Sequence, residues 1–274
     1  MLGKKLIEMK KVSFSYNEEG LTLSDINIEI FKGDKIAVLG ANGSGKSTFF
    51  MNLAGVLFPH TGEIMLNGDK ITKKTISKLR EKIGIVFQEP DYQIIASTVW
   101  SEVSFGPMNL NLSKDEVSSR VCEALEYMNL TQYAQRPPHY LSGGEKKRVT
   151  IADIIAMKSE IIIFDEPTSS LDPVNSQMLE NTLSSLHDEG KTLIISTHDV
   201  DFAFRWADRI VVFDNGQIIS DDIPENTFEN DEVLNRSNLR KPIIMDMIDI
   251  LIEKNILIKP EKYPKTITEF SSLL

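Results

Sequence analysis

Residues 35 to 52, KIAVLGANGSGKSTFFMN, constrain this chain more than any other stretch. The apolar run Ile36 to Leu39 predicts a buried strand, Gly40 to Gly45 a tight loop, and Lys46 onward the first turns of a helix. The spacing Gly40-x-x-x-x-Gly45-Lys46-Ser47 has a physical reading. Glycines let successive backbone N–H groups of the loop (Gly40, Asn42, Gly43, Ser44, Gly45) turn inward and let an anion come close. The following helix adds the positive end of its dipole. Lys46 is expected to neutralise outer phosphates, the Ser47 hydroxyl to hold Mg²⁺, and Thr48 to support the loop. The alternative, a Gly-rich turn with a solvated lysine, leaves the flanking strand and helix without a reason. The stretch predicts a nucleoside-triphosphate site.

At 274 residues the chain can bury one large α/β core plus a small appendage. Its formal net charge of −10 offers no basic stripe to displace counterions, which argues against a nucleic-acid partner. The single cysteine, Cys122, excludes an internal disulfide framework and suits a reducing compartment; in EVSSRVCEALEYM it is expected to be a small buried hydrophobe. The opening MLGKKLIEMKKVSF has no apolar stretch of signal-peptide length, and no run approaches the roughly 18 residues of a membrane span. Any membrane function is expected to need another chain.

Residues 6 to 16 and 23 to 31 read as strands, the second by the alternation of Ile26, Ile28 and Ile30 with Asn27 and Glu29. Tyr16, closing the first, either stacks on a purine ring or caps an apolar edge. A turn at 59–62 leads into the strand EIMLNG, a charged helical segment follows, and Ile83 to Phe87 is another strand. Residues 98 to 155 are mostly helical, with Ser113 and Glu116 as a capping box and Val117, Val121, Leu125 and Met128 on one face. Leu141-Ser142-Gly143-Gly144-Glu145 opens the next helix. A capping box explains Ser142 and Glu145 but not two glycines, each costing a helix roughly 1 kcal/mol relative to alanine. Bare N–H groups that must reach a phosphate do explain them.

Three further strands end in polar groups. Gln88 follows Ile83 to Phe87; Asp165 and Glu166 follow the apolar run Ile161 to Phe164; His198, one of four histidines, follows Lys191 to Ser196. Converging C-terminal strand ends of a parallel sheet make one crevice. In it Asp165 would hold Mg²⁺ through its water shell and Glu166 would take a proton from an attacking water. The read-out 210–220 is a hairpin with an Asn-Gly turn. Past Ser220 short helices of mixed charge follow, and in 243–256 Ile244, Met247, Ile248, Leu251 and Ile252 predict an apolar stripe, either packed on its own domain or left as a dimer or partner surface.

With GANGSGKST, Gln88, LSGGE, IIIFDEP, SSLD and STHD in this order, residues 6 to 220 resemble an ABC-family nucleotide-binding subunit. The resemblance implies an α/β P-loop NTPase fold: a RecA-like core with an antiparallel β subdomain and an α-helical subdomain at about 89–157, all within 1–220. A small helical C-terminal region, 221–274, would follow. It implies that Tyr16 stacks on adenine, that Lys46, Ser47 and Thr48 hold phosphates and Mg²⁺, and that Gln88 senses metal and transport partner. It also implies Glu166 as general base and His198 on the γ-phosphate, while Leu141 to Glu145 belong to the opposite subunit's ATP site and Asp172 lies at that head-to-tail interface.

FQEPDYQIIASTVWSEVSFGPMNLNLS and HDVDFAFRWADRIVVF are similar to the ATPases of energy-coupling-factor importers, particularly the cobalt/nickel branch, and the tail is similar to their C-terminal dimerisation region. Ala41, Glu145, Ser169-Ser170, Tyr92 and Trp100 depart from the usual pattern; the last two lie near the expected partner groove. The resemblance implies ATP hydrolysis coupled to import at the cytoplasmic face of the cell membrane. The chain would pair with itself or a related ATPase, an integral membrane coupling subunit and a substrate-binding membrane subunit. A vitamin-type or other ABC importer is the nearest alternative. A soluble ABC ATPase acting on ribosomes or DNA is the rival of another class, and a nucleotide-bound regulator without turnover a third; the close spacing of Gln88 and Leu141 leaves no room for the first rival's long coiled coil.

Overall fold

Alternating and continuous apolar runs build two different sheets in the computed structural model, which describes residues 3–17, 20–169 and 171–273. Strands β1 (Lys5–Phe14) and β2 (Leu23–Phe31) alternate and pair antiparallel, with Met9 opposite Ile28 and Val12 opposite Ile26. Beyond them come β3 (Lys35–Leu39), helix α1 (Lys46–Leu53), β4 (Thr61–Leu66), β5 (Asp69–Lys70), α2 (Ser77–Lys82) and β6 (Ile83–Val86). The first sheet has the order β2-β1-β4-β5. Three helices then run consecutively: α3 (Val99–Asn109), α4 (Lys114–Tyr127) and α5 (Gly143–Ala156). The chain returns through β7 (Ile161–Phe164), α6 (Pro173–Asp188), β8 (Thr192–Ser196), α7 (Val200–Trp206), β9 (Arg209–Asp214) and β10 (Gln217–Asp222).

The second sheet, ordered β10-β9-β3-β8-β7-β6, is parallel apart from its β10 edge. Its inner strands are apolar over most of their length because both faces are covered. Ile36, Val38, Ile161, Ile163, Ile194, Val211 and Phe213 share one core with α1 and the antiparallel sheet. Ala37, Leu39, Ile162, Phe164, Leu193, Ile195 and Val212 share the other with α3 to α7. This is the α/β fold expected, with the antiparallel sheet on one side and the helical layer on the other. The C-terminal ends of β3, β6, β7 and β8 open onto one edge.

Several expectations need correction. The first strand stops at Phe14, since the Ser15 hydroxyl turns back onto the carbonyls of Asn17 and Gly20 (2.7 Å to Gly20). Tyr16 therefore stands beyond the strand; Glu18, Glu19 and Ser170 lie outside the described residues. Cys122 is exposed: it falls one residue past Val121, about 100° around the helix from it and to one side of the buried stripe of Val121, Leu125 and Met128. Val117 on that stripe is only half-buried. At Ser113 the side chain accepts the Glu116 N–H at 3.2 Å, one half of the capping box.

Beyond Ser220, α8 (Pro224–Glu229), α9 (Asp231–Ser237), α10 (Ile243–Glu253) and α11 (Ile267–Ser271) follow. Phe228 packs edge-on against Phe204, with ring centroids 6.1 Å apart, and Met245, Ile248 and Tyr263 join the core that α3 to α7 share. The stripe of α10 is thus shifted from the one expected: Met245 is buried while Met247 is exposed. No helix among the described residues is long and apolar enough to cross a membrane.

Candidate active site

Gly40 ends β3 with φ +139, and a Cβ there would lie 2.3 Å from the Phe213 carbonyl oxygen, so only glycine lets the chain turn away beside β9. The loop it opens wraps a cleft of about 420 Å³. Asn42, Gly43, Gly45, Lys46, Ser47 and Thr48 line that cleft from the loop side, and Gln88, Asp165, Glu166 and His198 line it from the other strand ends. The convergence expected of the strand ends is therefore found. Thr22, before β2, also lines the cleft and was not singled out by the sequence.

Polar groups left over in the loop suit an anion. Lys46 Nζ donates to the carbonyls of Gly40 (2.7 Å) and Ala41 (3.0 Å), leaving one of its three donors free for a phosphate oxygen. Burial lowers its pKa, against the raising influence of Glu166 and Asp165. The Ser44 hydroxyl is buried inside the loop with no hydrogen-bond partner among the described residues. Neither Gly40 nor Ser44 lines the cleft itself; both shape the loop beneath it. Tyr16 lines a neighbouring open hollow with His60 and Leu21, connected to the cleft through its hydroxyl, 3.3 Å from Thr48 Oγ1. Its ring packs edge-on to Phe14 and is otherwise exposed.

Opposite the loop, the acids are placed by their strand. Asp165 continues β7, its N–H donating to the Val86 carbonyl, and its Oδ2 accepts from the Ser47 hydroxyl at 2.8 Å. Its Oδ1 accepts from the Ser196 hydroxyl at 2.6 Å, and that hydroxyl oxygen accepts the Glu166 N–H at 2.8 Å. Ser196 thus ties both acids to β8. The pairing of Phe164 with Ile195 brings it there, a register that STHD alone does not reveal. Glu166 sits at φ +47, in the left-handed region that a side chain rarely adopts, so its carboxylate leaves the line of Asp165. Glu166 Oε1 meets His198 Nε2 at 2.7 Å. Burial raises the Glu166 pKa, opposed first by His198 and then by Lys46. A hydroxyl, a carboxylate and an amide facing one cleft form an all-oxygen donor set, which suits Mg²⁺ better than a softer metal.

Another missed residue is Lys147, a lysine on the apolar stripe of α5 with Thr150, Ile151 and Ile154. It is 4% exposed, and its Nζ donates to the carbonyls of Phe87 (2.8 Å) and Gln88 (2.9 Å). Burial lowers its pKa to about 8, against the raising influence of Glu89 and Asp165.

Leu141 to Glu145 do not line the cleft. Ser142 caps α5 in a complete capping box: its side chain accepts the Glu145 N–H at 3.3 Å, and its own N–H donates to Glu145 Oε2 at 2.8 Å. That box leaves Gly143 unexplained, because a Cβ there would meet nothing within 4 Å, whereas at Gly144 it would press on Asn175 at 3.0 Å. Asp172 caps α6, with Oδ1 accepting from Val174 and Asn175 N–H, both at 2.9 Å; these bonds, led by Asn175, lower its pKa.

The family model described as ABC transporter matches residues 23–169, from β2 through Glu166. An energy-coupling factor transporter ATP-binding protein EcfA2 of Methanospirillum hungatei is 42% identical over 98% of this chain and 68% of its own length. The chain belongs to the ABC transporter family. It is an ABC-type ATPase, and within that family it is similar to the energy-coupling-factor ATP-binding proteins. Among solved structures, cbiO1 of Clostridium perfringens, part of the ABC transporter complex cbiONQ, is 38% identical with a TM-score of 0.75, covering 91% of this chain and 99% of that one. The ATP-binding cassette MJ0796, in a dimeric post-hydrolysis state bound to ADP and Pi, is 29% identical with a TM-score of 0.71, covering 80% and 99%. The ABC fold of this ATPase is therefore shared along nearly all of those two chains.

Proposed function

We propose that this chain is the ATP-hydrolysing subunit of an energy-coupling-factor importer of the cobalt/nickel type, peripheral on the cytoplasmic face of the membrane. The energy-coupling-factor reading is supported by similarity to EcfA2 and to cbiO1, part of the ABC transporter complex cbiONQ; the cobalt/nickel cargo rests on the sequence resemblance alone. Two such ATPases, identical or related, would sandwich two ATP molecules and work with an integral coupling subunit and a substrate-binding membrane subunit. Residues 1–220 would form the ATPase domain, with a helical subdomain at about 89–157, and 221–274 an accessory dimerisation region.

In this reading Tyr16 stacks on adenine, and Gly40, Asn42, Gly43, Ser44 and Gly45 surround the phosphates with N–H and O–H donors. Lys46 gives its free donor to the outer phosphates, and Thr48 supports the loop. Ser47, Gln88 and, through water, Asp165 would hold Mg²⁺, which supplies positive charge against the phosphate oxygens. Glu166 is the general base, taking the proton of a water aligned on the γ-phosphate, and His198 steadies that carboxylate and contacts the γ-phosphate. Ser142, Gly143 and Gly144, flanked by Leu141 and Glu145, close over the partner's nucleotide, with Asp172 at the same interface.

One observation carries the chemistry: Glu166 is held at an unusual backbone angle at the end of a buried strand, in contact with His198, facing the loop that wraps the cleft. The cargo is tested by purifying the chain with its native membrane subunits and following ATP-dependent uptake of radiolabelled Co²⁺ and Ni²⁺ into vesicles. Transport of a vitamin in place of either ion would overturn the cobalt/nickel assignment and leave the ATPase reading standing.

A further inference from the structure

Lys147 is an ammonium group buried in the body of α5, five residues past the Ser142 cap, and both of its side-chain bonds leave its own helix. They end on consecutive carbonyls, Phe87 at 2.8 Å and Gln88 at 2.9 Å, at the exit of β6. The peptide preceding it is held as well, the Phe87 N–H donating to Gln93 Oε1 at 3.2 Å. Lys146 adds an outer link from the same turn, donating to Asp91 Oδ1 at 2.7 Å. The segment 87–93 is therefore fastened to the first turns of α5 and not only to the strand that precedes it. Buried charge is costly unless well bonded, and an apolar side chain would fill this place more cheaply. Two strong bonds to a backbone that ends in a cleft-lining side chain give the charge a use.

We infer that Lys147 is a positioning residue: it sets where the Gln88 side chain stands in the cleft and passes to it any displacement of the Ser142 end of α5. A helix is stiff over five residues, so the Ser142 end and Lys147 move together. In the proposed function Ser142 closes over the partner's nucleotide while Gln88 serves the chain's own, so the link would join the two ATP sites of a pair. This inference rests on the reading of Gln88 given above.

The test is a double-mutant cycle on the full chain in its native complex, reading kcat and KM for ATP hydrolysis in wild type, Lys147→Met, Gln88→Ala and the double variant. Lys147→Met keeps the packing and removes the donor. It is expected to lower kcat on the order of ten- to a hundredfold, as misplacement of a site group by about an ångström does, with KM little changed. The double variant should be no slower than Gln88→Ala alone. Lys147→Gln, which retains two N–H donors, should recover part of the loss, and it replaces Lys147→Met in the cycle if the latter fails to fold. Independent, multiplying effects of the two substitutions, or wild-type kcat in the Lys147 variant beside an impaired Gln88→Ala, would overturn the positioning role alone. Wild-type kcat in Gln88→Ala would overturn the reading of Gln88 and the inference with it.

Discussion

His198 Nε2 stands 2.7 Å from Glu166 Oε1, so the polar groups that end two neighbouring buried strands meet as one unit at the cleft. The contact aims a half-buried carboxylate and limits its motion, as a general base requires. Glu166→Gln preserves the size and much of the hydrogen bonding while removing the basic oxygen. ATP turnover is expected to fall by roughly 10² to 10⁴-fold, with ATP still bound. Phosphate release and equilibrium binding measured on the same preparation check this. A variant that keeps wild-type turnover would remove Glu166 from the mechanism.

The same pair governs the acid side of the pH profile. Burial pushes the Glu166 carboxyl up, and His198 is the first of the influences holding it down. In the proposed mechanism the working form is the carboxylate, so activity is expected to fall as pH drops through the Glu166 pKa. Removing His198 leaves burial less opposed and raises that pKa further, so the loss begins at a higher pH. In His198→Ala the acid limb of kcat/KM, which reports the free enzyme, should move to higher pH than in wild type, besides any drop in rate. A limb that stays in place or moves down would mean that the imidazole does not control the carboxylate.

How much of this was legible without coordinates depends on what each residue type reports. Gly40, Lys46, Asp165 and Glu166 were readable because phosphate chemistry demands those types at those spacings, and apolar runs located the strands that carry them. Ser196 and Lys147 were not, since their partners lie on other elements and only strand register or helix packing brings them together. Cys122 was misjudged although its own helix held the answer: a period of 3.6 turns it away from Val121, Leu125 and Met128. In α10 the period could not decide. IIMDMIDILIE is apolar at most positions, so tertiary packing chose Met245 over Met247. Tyr16 was displaced by a side-chain-to-backbone turn at Ser15 that competes with the strand.

Ser142 separates helix capping from nucleotide contact. Asp caps a helix about as well as Ser, so Ser142→Asp should fold with stability within about 0.5 kcal/mol of wild type. If Ser142 faces the partner's phosphates as proposed, a carboxylate in its place is repelled by them. In the Glu166→Gln background, light scattering should show ATP-induced dimers with Ser142 and none with Asp at that position. Dimers that form equally well with Asp would leave Ser142 as a cap and nothing more.

Asp153 makes a prediction about stability instead of activity. Burial, and then the nearby Glu102, whose Oε2 is taken by the N–H groups of Ile95 and Ala96, push the Asp153 carboxyl up to about 7 against the lowering influence of the Gly106 N–H. Its Oδ1 is buried with no partner among the described residues. The direction is opposite to that of an ion-paired acid. Between the ordinary value of 3.8 and about 7 the folded protein keeps a proton that the unfolded chain has released, so this group's contribution makes stability fall as pH rises, and its penalty is complete above about 7. The full penalty corresponds to about 4 kcal/mol at most, from roughly 1.4 kcal/mol per pH unit. Asp153→Asn carries no such proton, so its Tm relative to wild type should climb between pH 4 and pH 8, and comparing the two proteins cancels the titration of every other group they share. A Tm difference independent of pH would show that Asp153 stays ionised in the folded chain.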